Sequence, residues 1–313
     1  MPDYQTIPHV ATPAHAAMSG RTALMLLAAV VVLWGVNWPI MKVGVAVIPP
    51  LWFAVLRTMI GAGTLFAVLI ATGRFAWPNR HDLPVLASVG LLQVAAFLAL
   101  VNVALLHVDA GRSAVLAYTT PLWVGPGAIL LLRERPRMVK LLGLLLGLGG
   151  IAVLFSPAAI DWGNPDVLLG NLMLIVAAAG WAVAILHVRG GKWRLSPLQL
   201  LPWQLLVGQP LLIPLALWLE GPPRFDWSPT VIAILAYNGP IASGFCYWAV
   251  IAVTRALPAM TTSLSLLAVP AAGLVASTLA LGEPLGVPLI AGCGLILGGV
   301  ALVNLGDRRP RPA

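Results

Sequence analysis

Charge is scarce in this chain. Of its 313 residues, 9% are charged and 60% are apolar, against about 25% and about 45–50% in soluble domains. So few charges cannot cover a water-facing surface, which excludes a soluble globular enzyme. Disorder is excluded as well, because it needs low hydrophobicity and high net charge. Cysteine is almost missing. Cys246 and Cys293 both lie in apolar runs and read as buried hydrophobes, not as a disulfide or a metal site, and no cofactor is expected. The first 20 residues lack a basic stretch followed by an apolar one, so no cleaved signal peptide is expected. No Gly-Lys-Ser/Thr phosphate loop occurs, which excludes an ATP-driven pump in one chain.

What the chain has is long apolar runs. A bilayer-crossing helix needs about 20 apolar residues, and ten runs fit: 22–42, 50–72, 83–106, 113–132, 139–156, 167–188, 198–219, 229–253, 259–281 and 286–305. These runs are too long and continuous for a transmembrane β-barrel. The 31 Gly and 27 Pro are tolerated in membrane helices, where neighbours re-satisfy the freed backbone. The expected fold class is therefore all-α integral membrane. The basic residues sort by side: fourteen of the eighteen Lys and Arg fall on one face, whereas Lys42, Arg112 and Arg224 fall on the other and Arg57 lies within the second run. The positive-inside rule then places both termini in the cytoplasm of a multi-pass inner-membrane protein. The net charge of +8 is thus a topology signal, and no nucleic-acid partner is expected.

The two halves repeat. At an offset of 149, Pro121 meets Pro270, Glu134 meets Glu283, Gly143 meets Gly292 and Gly90 meets Gly239. At an offset of 147, Trp34 meets Trp181, Lys42 meets Arg189 and Pro50 meets Pro197. Between these blocks, Arg74-Phe75-x-Trp77 meets Arg224-Phe225-x-Trp227. Five runs per copy is an odd number, so the copies insert in opposite orientations. The expectation is ten transmembrane helices as two inverted-topology five-helix repeats, an architecture of secondary transporters with a midplane site. The domains expected are a cytoplasmic tail at 1–20, a first repeat at 21–156, a second at 166–305 and a basic cytoplasmic tail at 306–313.

Trp34-Gly35-x-Asn37-Trp38-Pro39 with Lys42, and Pro121-Leu122-x11-Glu134-Arg135-Pro136 before a Gly-rich helix, resemble the EamA-like family of the drug/metabolite transporter superfamily. The second copy repeats the pattern as Pro270-x12-Glu283-Pro284. The resemblance covers about residues 22–305. It implies an inner-membrane exporter of metabolites, amino acids or drugs, most similar to the YddG-type exporters of aromatic and other neutral amino acids.

Polar groups inside a membrane are costly and face the bundle interior. In the first run Trp34, Asn37, Trp38 and Met41 fall three or four apart. They form either a cavity wall, with the Asn37 amide for the substrate, or a Pro39 kink whose freed carbonyl Asn37 satisfies. Arg57 and Lys42 are the candidates for a carboxylate contact. For Arg57 the expectation leans instead to snorkelling toward headgroups or pairing with a backbone carbonyl. Tyr118 has an apolar mate, Leu267, in the second copy, and such asymmetry suits an asymmetric solute. Thr119 and Thr120 are expected to bond back to the preceding turn. Gln93, Trp181, Tyr237, Asn238, Tyr247 and Ser263 complete the candidate substrate site, with Trp181 the foremost aromatic. Counted at 3.6 residues per turn, Tyr237 and Tyr247 lie about 80° apart. Gly143-x3-Gly147 and Gly294-x3-Gly298 are expected to let the last helix of each copy pack closely, with Glu134 and Glu283 as structural helix-end residues.

No acid lies inside an apolar run: all ten Asp and Glu sit in the tail, the loops or the run ends. Proton-driven transporters commonly keep a carboxylate in the membrane, so strong proton coupling is not expected. The interior also lacks a base-and-acid pair for an intramembrane enzyme. The sequence therefore predicts a non-enzymatic exporter of a small neutral or zwitterionic molecule, functional as a monomer in the bilayer. A multidrug exporter or a proton-coupled antiporter of the same fold is the alternative.

Overall fold

The computed structural model describes residues 19–131, 138–156, 159–190, 193–256 and 266–306, and among these it contains helices and no strand. The helices are α1 (Gly20–Val47), α2 (Pro50–Ala71), α3 (Leu83–Ser88), α4 (Phe97–His107), α5 (Ala110–Ala117), α6 (Thr120–Leu131) and α7 (Met138–Leu154). After them come α8 (Pro165–Gly190), α9 (Pro197–Val207), α10 (Gln209–Leu219), α11 (Pro229–Ala236), α12 (Cys246–Ala256), α13 (Ala268–Leu281) and α14 (Val287–Gly306). Two π-helical stretches, Val89–Ala96 and Tyr237–Phe245, join α3 to α4 and α11 to α12. Among the described residues, six helical stretches are long and apolar enough to cross a membrane, and Met138–Leu154, Ala268–Leu281 and Val287–Val303 are shorter apolar helices.

Local chemistry sets the boundaries. Ser19 accepts from the Thr22 N–H, Ser228 caps α11, and Ser196 forms a reciprocal capping box with Gln199 ahead of α9, satisfying N–H groups that have no intrahelical partner. Proline at the first helical position starts α2, α9 and α11, where its missing N–H costs nothing. Gly73 and Gly221 turn the chain after α2 and α10 with φ of 65° and 73°, a conformation that side chains disfavour.

Two expected runs differ in form. The run at 113–132 begins at Ala110 and breaks between α5 and α6 at Tyr118 and Thr119. Pro121 has no N–H to offer the Ala117 carbonyl. The Thr120 hydroxyl bonds that carbonyl at 3.1 Å, and the Thr119 hydroxyl bonds Leu116 at 2.7 Å, the back-bonding anticipated for both. The run at 198–219 is likewise split at Gly208, just before Pro210.

Glycine sets the closest helix approaches. A Cβ on Gly143 would lie 2.6 Å from the Gly299 carbonyl oxygen, and one on Gly150 would lie 2.8 Å from that of Gly292. The contacts are reciprocal, at 2.5 Å from Gly299 to Gly143 and 3.1 Å from Gly292 to Gly150. α7 and α14 thus pack backbone to backbone. The α14 glycines responsible are seven apart rather than four, because Gly294 has nothing within 4 Å. The Gly147 backbone also lies against Gly299, its N 2.6 Å from where a Gly299 Cβ would sit, while a Cβ on Gly147 itself would meet the Leu122 side chain. Glycines also join the π stretches to their neighbours: a Cβ on Gly61 of α2 would lie 3.2 Å from the Gly239 carbonyl oxygen, and one on Gly208 would lie 3.0 Å from that of Gly90.

Carboxylates fasten helix starts. Glu220 accepts from the N–H groups of Leu51 and Trp52 at 2.8 and 3.1 Å. Glu283 does the same for Ala110 and Gly111 at 2.7 and 2.8 Å. Both place negative charge at the positive end of a helix dipole. Asp82, fully buried, accepts from Asn79, Arg194 and Leu195. Burial alone would raise its carboxyl, but these three N–H donors and the Arg194 charge bring it below the ordinary carboxylate value.

Candidate functional site

The polar groups that the sequence singles out in α1 converge with others from α2, α5 and the second π stretch. Arg57 is the eighth residue of α2, about 10 Å along the helix at 1.5 Å per residue. It is only 5% exposed. It does not snorkel, and among the described residues no backbone carbonyl accepts from it. Its Nη1 donates to the Met41 sulfur at 3.2 Å, its Nη2 to the Ser243 hydroxyl at 3.4 Å, and its Nε has no partner. The guanidinium stacks near the Phe53 ring, 5.9 Å from the centroid. The expectation for Arg57 is corrected here: α2 carries it among α1 and the π stretch, too deep to turn outward. The seven acids among the described residues all lie in loops or at helix ends, and none forms an ion pair with it.

Asn37 donates to the same Met41 sulfur at 3.0 Å, while its Oδ1 is buried without a partner. It therefore does not serve a carbonyl freed by Pro39, and α1 runs through Pro39 as one helix. Met41 is thus a hub between a cation and an amide, each left with an unused hydrogen-bonding atom. Tyr247 lies within electrostatic reach of Arg57 and of Tyr118. Its ring packs edge-on against Trp34, with centroids 5.3 Å apart. Tyr118 sits at the α5–α6 break.

Two bonds clamp the second π stretch to α1: Trp34 Nε1 donates to the Ala242 carbonyl at 3.0 Å, and the Tyr237 hydroxyl to the Leu33 carbonyl at 2.7 Å. The stretch bonds i to i+5, and Tyr237 reaches α1 at the Leu33 carbonyl while Tyr247 reaches it at the Trp34 ring. Asn238 is fully buried, its amide on the Ile234 carbonyl and its Oδ1 unpartnered.

Other expected residues lie apart or are occupied. Lys42 donates to the carbonyls of Leu105 and Val108 at 2.6 and 2.9 Å. It caps the C-terminus of α4, where a cation is favoured, and its ammonium is not directed at Arg57's surroundings. Trp181 stacks edge-on against Phe97 at 4.6 Å. Gln93, on the first π stretch, makes no side-chain hydrogen bond among the described residues. Trp38 is buried against the α13 backbone at Gly273. Ser263 and Glu134 fall outside the described residues. The role of Met41 and Ser243 as Arg57's acceptors was not legible in the sequence, since it depends on which helix faces α2.

A separate cavity of about 270 Å³ is lined by His107, Asp109, Arg112, Asp161 and Asn171, among others. Each nitrogen of its arginine is used: Arg112 donates to Asn171 Oδ1 at 2.6 Å, to the Ala159 carbonyl at 2.8 Å and to the Leu154 carbonyl. That guanidinium ties loop to helix, in contrast to Arg57.

The sequence profile of the EamA-like transporter family matches residues 21–156 and again residues 168–305. The chain belongs to this family. It is 29% identical over 299 residues to the uncharacterized transporter YvbV of Bacillus subtilis, covering 94% of each chain. It is 28% identical over 271 residues to the uncharacterized transporter YoaV of the same organism, covering 87% of this chain and 92% of that one. One solved crystal structure superposes with a TM-score of 0.66 over 93% of this chain and 99% of its own, at 23% identity. That likeness concerns the fold alone. Family and helices together make this a membrane transporter.

Proposed function

We propose that the protein is a secondary transporter that exports a small carboxylate-bearing metabolite by alternating access between two inverted five-helix repeats. Neutral and aromatic amino acids, the class suggested by the likeness to YddG-type exporters, are the first solutes to test. The observation that carries the reading is the cluster of buried Arg57, Asn37 and Met41 with half-buried Tyr118, Tyr247 and Trp34, drawn from four separate helical segments. An uncompensated cation inside a membrane marks a substrate or ion pathway. The two family matches and the reciprocal glycine contacts support the repeat. The same site argues against a multidrug exporter of cations, which Arg57 would repel. The described acids all lie outside the apolar interior, which favours transport without strong proton coupling over a proton antiporter. In this reading the chain works as a monomer in the inner membrane, with both termini cytoplasmic.

Reconstitution into liposomes tests it. Labelled solute should exchange across the bilayer with little dependence on a pH gradient. Tyr118→Phe and Arg57→Gln should each slow the exchange. Large pH-driven accumulation would overturn the uncoupled mechanism, and unchanged exchange in the Arg57 and Tyr118 variants would remove the site.

A further inference from the structure

We infer that the Arg57–Met41–Asn37 unit reads a carboxylate together with a neutral hydrogen-bond donor on the adjacent carbon, so that the preferred solute is a 2-hydroxycarboxylate carrying one net negative charge. This rests on the transport reading above and narrows its solute.

Three observations combine. The Arg57 guanidinium, always protonated and able to hold a carboxylate through two parallel N–H donors, now has only a thioether and one hydroxyl as acceptors, and its Nε is unused. Both acceptors are weak or long beside a carboxylate, so a carboxylate displaces them readily. The Asn37 Oδ1 is a buried acceptor with no donor, and a buried polar atom left unpaired is costly. Arg57 and Asn37 meet on one sulfur, so a ligand bound to the guanidinium lies beside the amide. One small molecule satisfies both by presenting an acceptor pair and, on the next carbon, a donor.

Charge then chooses between the two chemistries that fit. An α-amino acid brings an ammonium as its donor. Its net charge is zero, and the site keeps an unbalanced positive charge in a low dielectric. Holding the ammonium would also call for an acid nearby, and the described acids are all engaged or at helix ends. A hydroxyl donates to a neutral amide without that demand, and the carboxylate neutralises Arg57. The aromatic pair Trp34–Tyr247 leaves the remainder of the solute free to be apolar.

The experiment uses the full-length protein in liposomes and four labelled probes: 3-phenyllactate, phenylalanine, 3-phenylpropanoate and phenethylamine. The expected order is phenyllactate well ahead of phenylpropanoate, which lacks the donor. Phenylalanine should be slower than phenyllactate by about tenfold or more, as one unpaired buried group costs, and phenethylamine should not be carried. Asn37→Leu, which removes the acceptor at similar volume, should erase the advantage of phenyllactate over phenylpropanoate while both still depend on Arg57. Arg57→Lys should retain weak transport and Arg57→Gln should lose it. A readout on the unaltered protein guards against misfolded variants: net phenyllactate efflux should accelerate under an inside-negative potential of about 100 mV, because one charge crosses per solute. Phenylalanine carried as fast as phenyllactate, or phenyllactate efflux indifferent to the potential, overturns the inference and leaves the transporter reading standing. No movement of any of the four, with no thermal stabilisation by them, overturns both.

Discussion

The carboxylate of Glu283, just beyond the end of α13, closes on the start of α5 and accepts the Gly111 N–H at 2.8 Å. The same carboxylate takes the Ala110 N–H at 2.7 Å, so one side chain caps a helix that is not its own. A hydrogen bond to a charged group contributes about 1.5–3 kcal/mol. Glu283→Gln keeps the shape but has one acceptor oxygen, so one bond weakens to a neutral one and the other is lost to an NH2 facing an N–H. It should lower the melting temperature in detergent, and Glu220→Gln, which uncaps α2 in the same way, should act similarly. The two losses should add when combined, because the caps serve different helices and share no partner.

The α7–α14 seam offers a test with an internal control. A methyl group on Gly150 would meet the Gly292 carbonyl oxygen at 2.8 Å, and one on Gly292 would meet Leu154 at 2.7 Å. Backbone on a packed helix cannot step aside, so Gly150→Ala should cost about 1–3 kcal/mol through overpacking. Gly149 and Gly294 face open space, so alanine at either should be neutral or mildly stabilising. Equal melting temperatures for Gly150→Ala and Gly149→Ala would show that the seam is looser than these contacts imply.

Glu283 was readable in the sequence as a helix-end residue, because its spacing from Pro284 and the flanking apolar run place it there. The glycine seam was readable only as a tendency. Small residues announce close approach, but which of Gly292, Gly294, Gly298 and Gly299 face the partner depends on helix rotation. Arg57 misled more deeply. From sequence, an arginine two turns into a helix has a lipid route to the headgroups. Only the packing of α1 and the second π stretch against α2 closes it. The π stretches were invisible for a related reason. Val89–Ala96 contains no proline to announce it, and a period of 3.6 assumed across Tyr237–Phe245 does not count the π turns between Tyr237 and Tyr247.

Asp82 makes acid stability measurable. Its folded carboxyl titrates below the ordinary value of 3.8, so the ionised form is favoured in the folded protein. The stabilisation is complete above that ordinary value and fades as pH falls through the lower, folded one. Thermal stability should therefore drop on acidification below about pH 4. Asp82→Asn should be less stable at neutral pH and show a flatter acid limb. An unchanged limb would mean that another carboxylate governs the acid transition.

The clamp between α1 and the second π stretch is the last prediction. Trp34 reaches from α1 to the Ala242 carbonyl, and Tyr237 reaches back from the π stretch to the Leu33 carbonyl. Each bond alone is worth about 0.5–1.5 kcal/mol. They share the same two elements, so the first one lost should loosen the geometry of the second. Trp34→Phe and Tyr237→Phe should each lower stability modestly, and a double-mutant cycle should show coupling rather than simple addition. The same stretch presents Ser243 to Arg57 and precedes Tyr247, so loosening it should disturb the site as well. Solute exchange should slow in both single variants, and more in the double. If the double variant loses stability but exchanges solute at the rate of the unaltered protein, the clamp only holds the fold and does not position the Arg57 cluster.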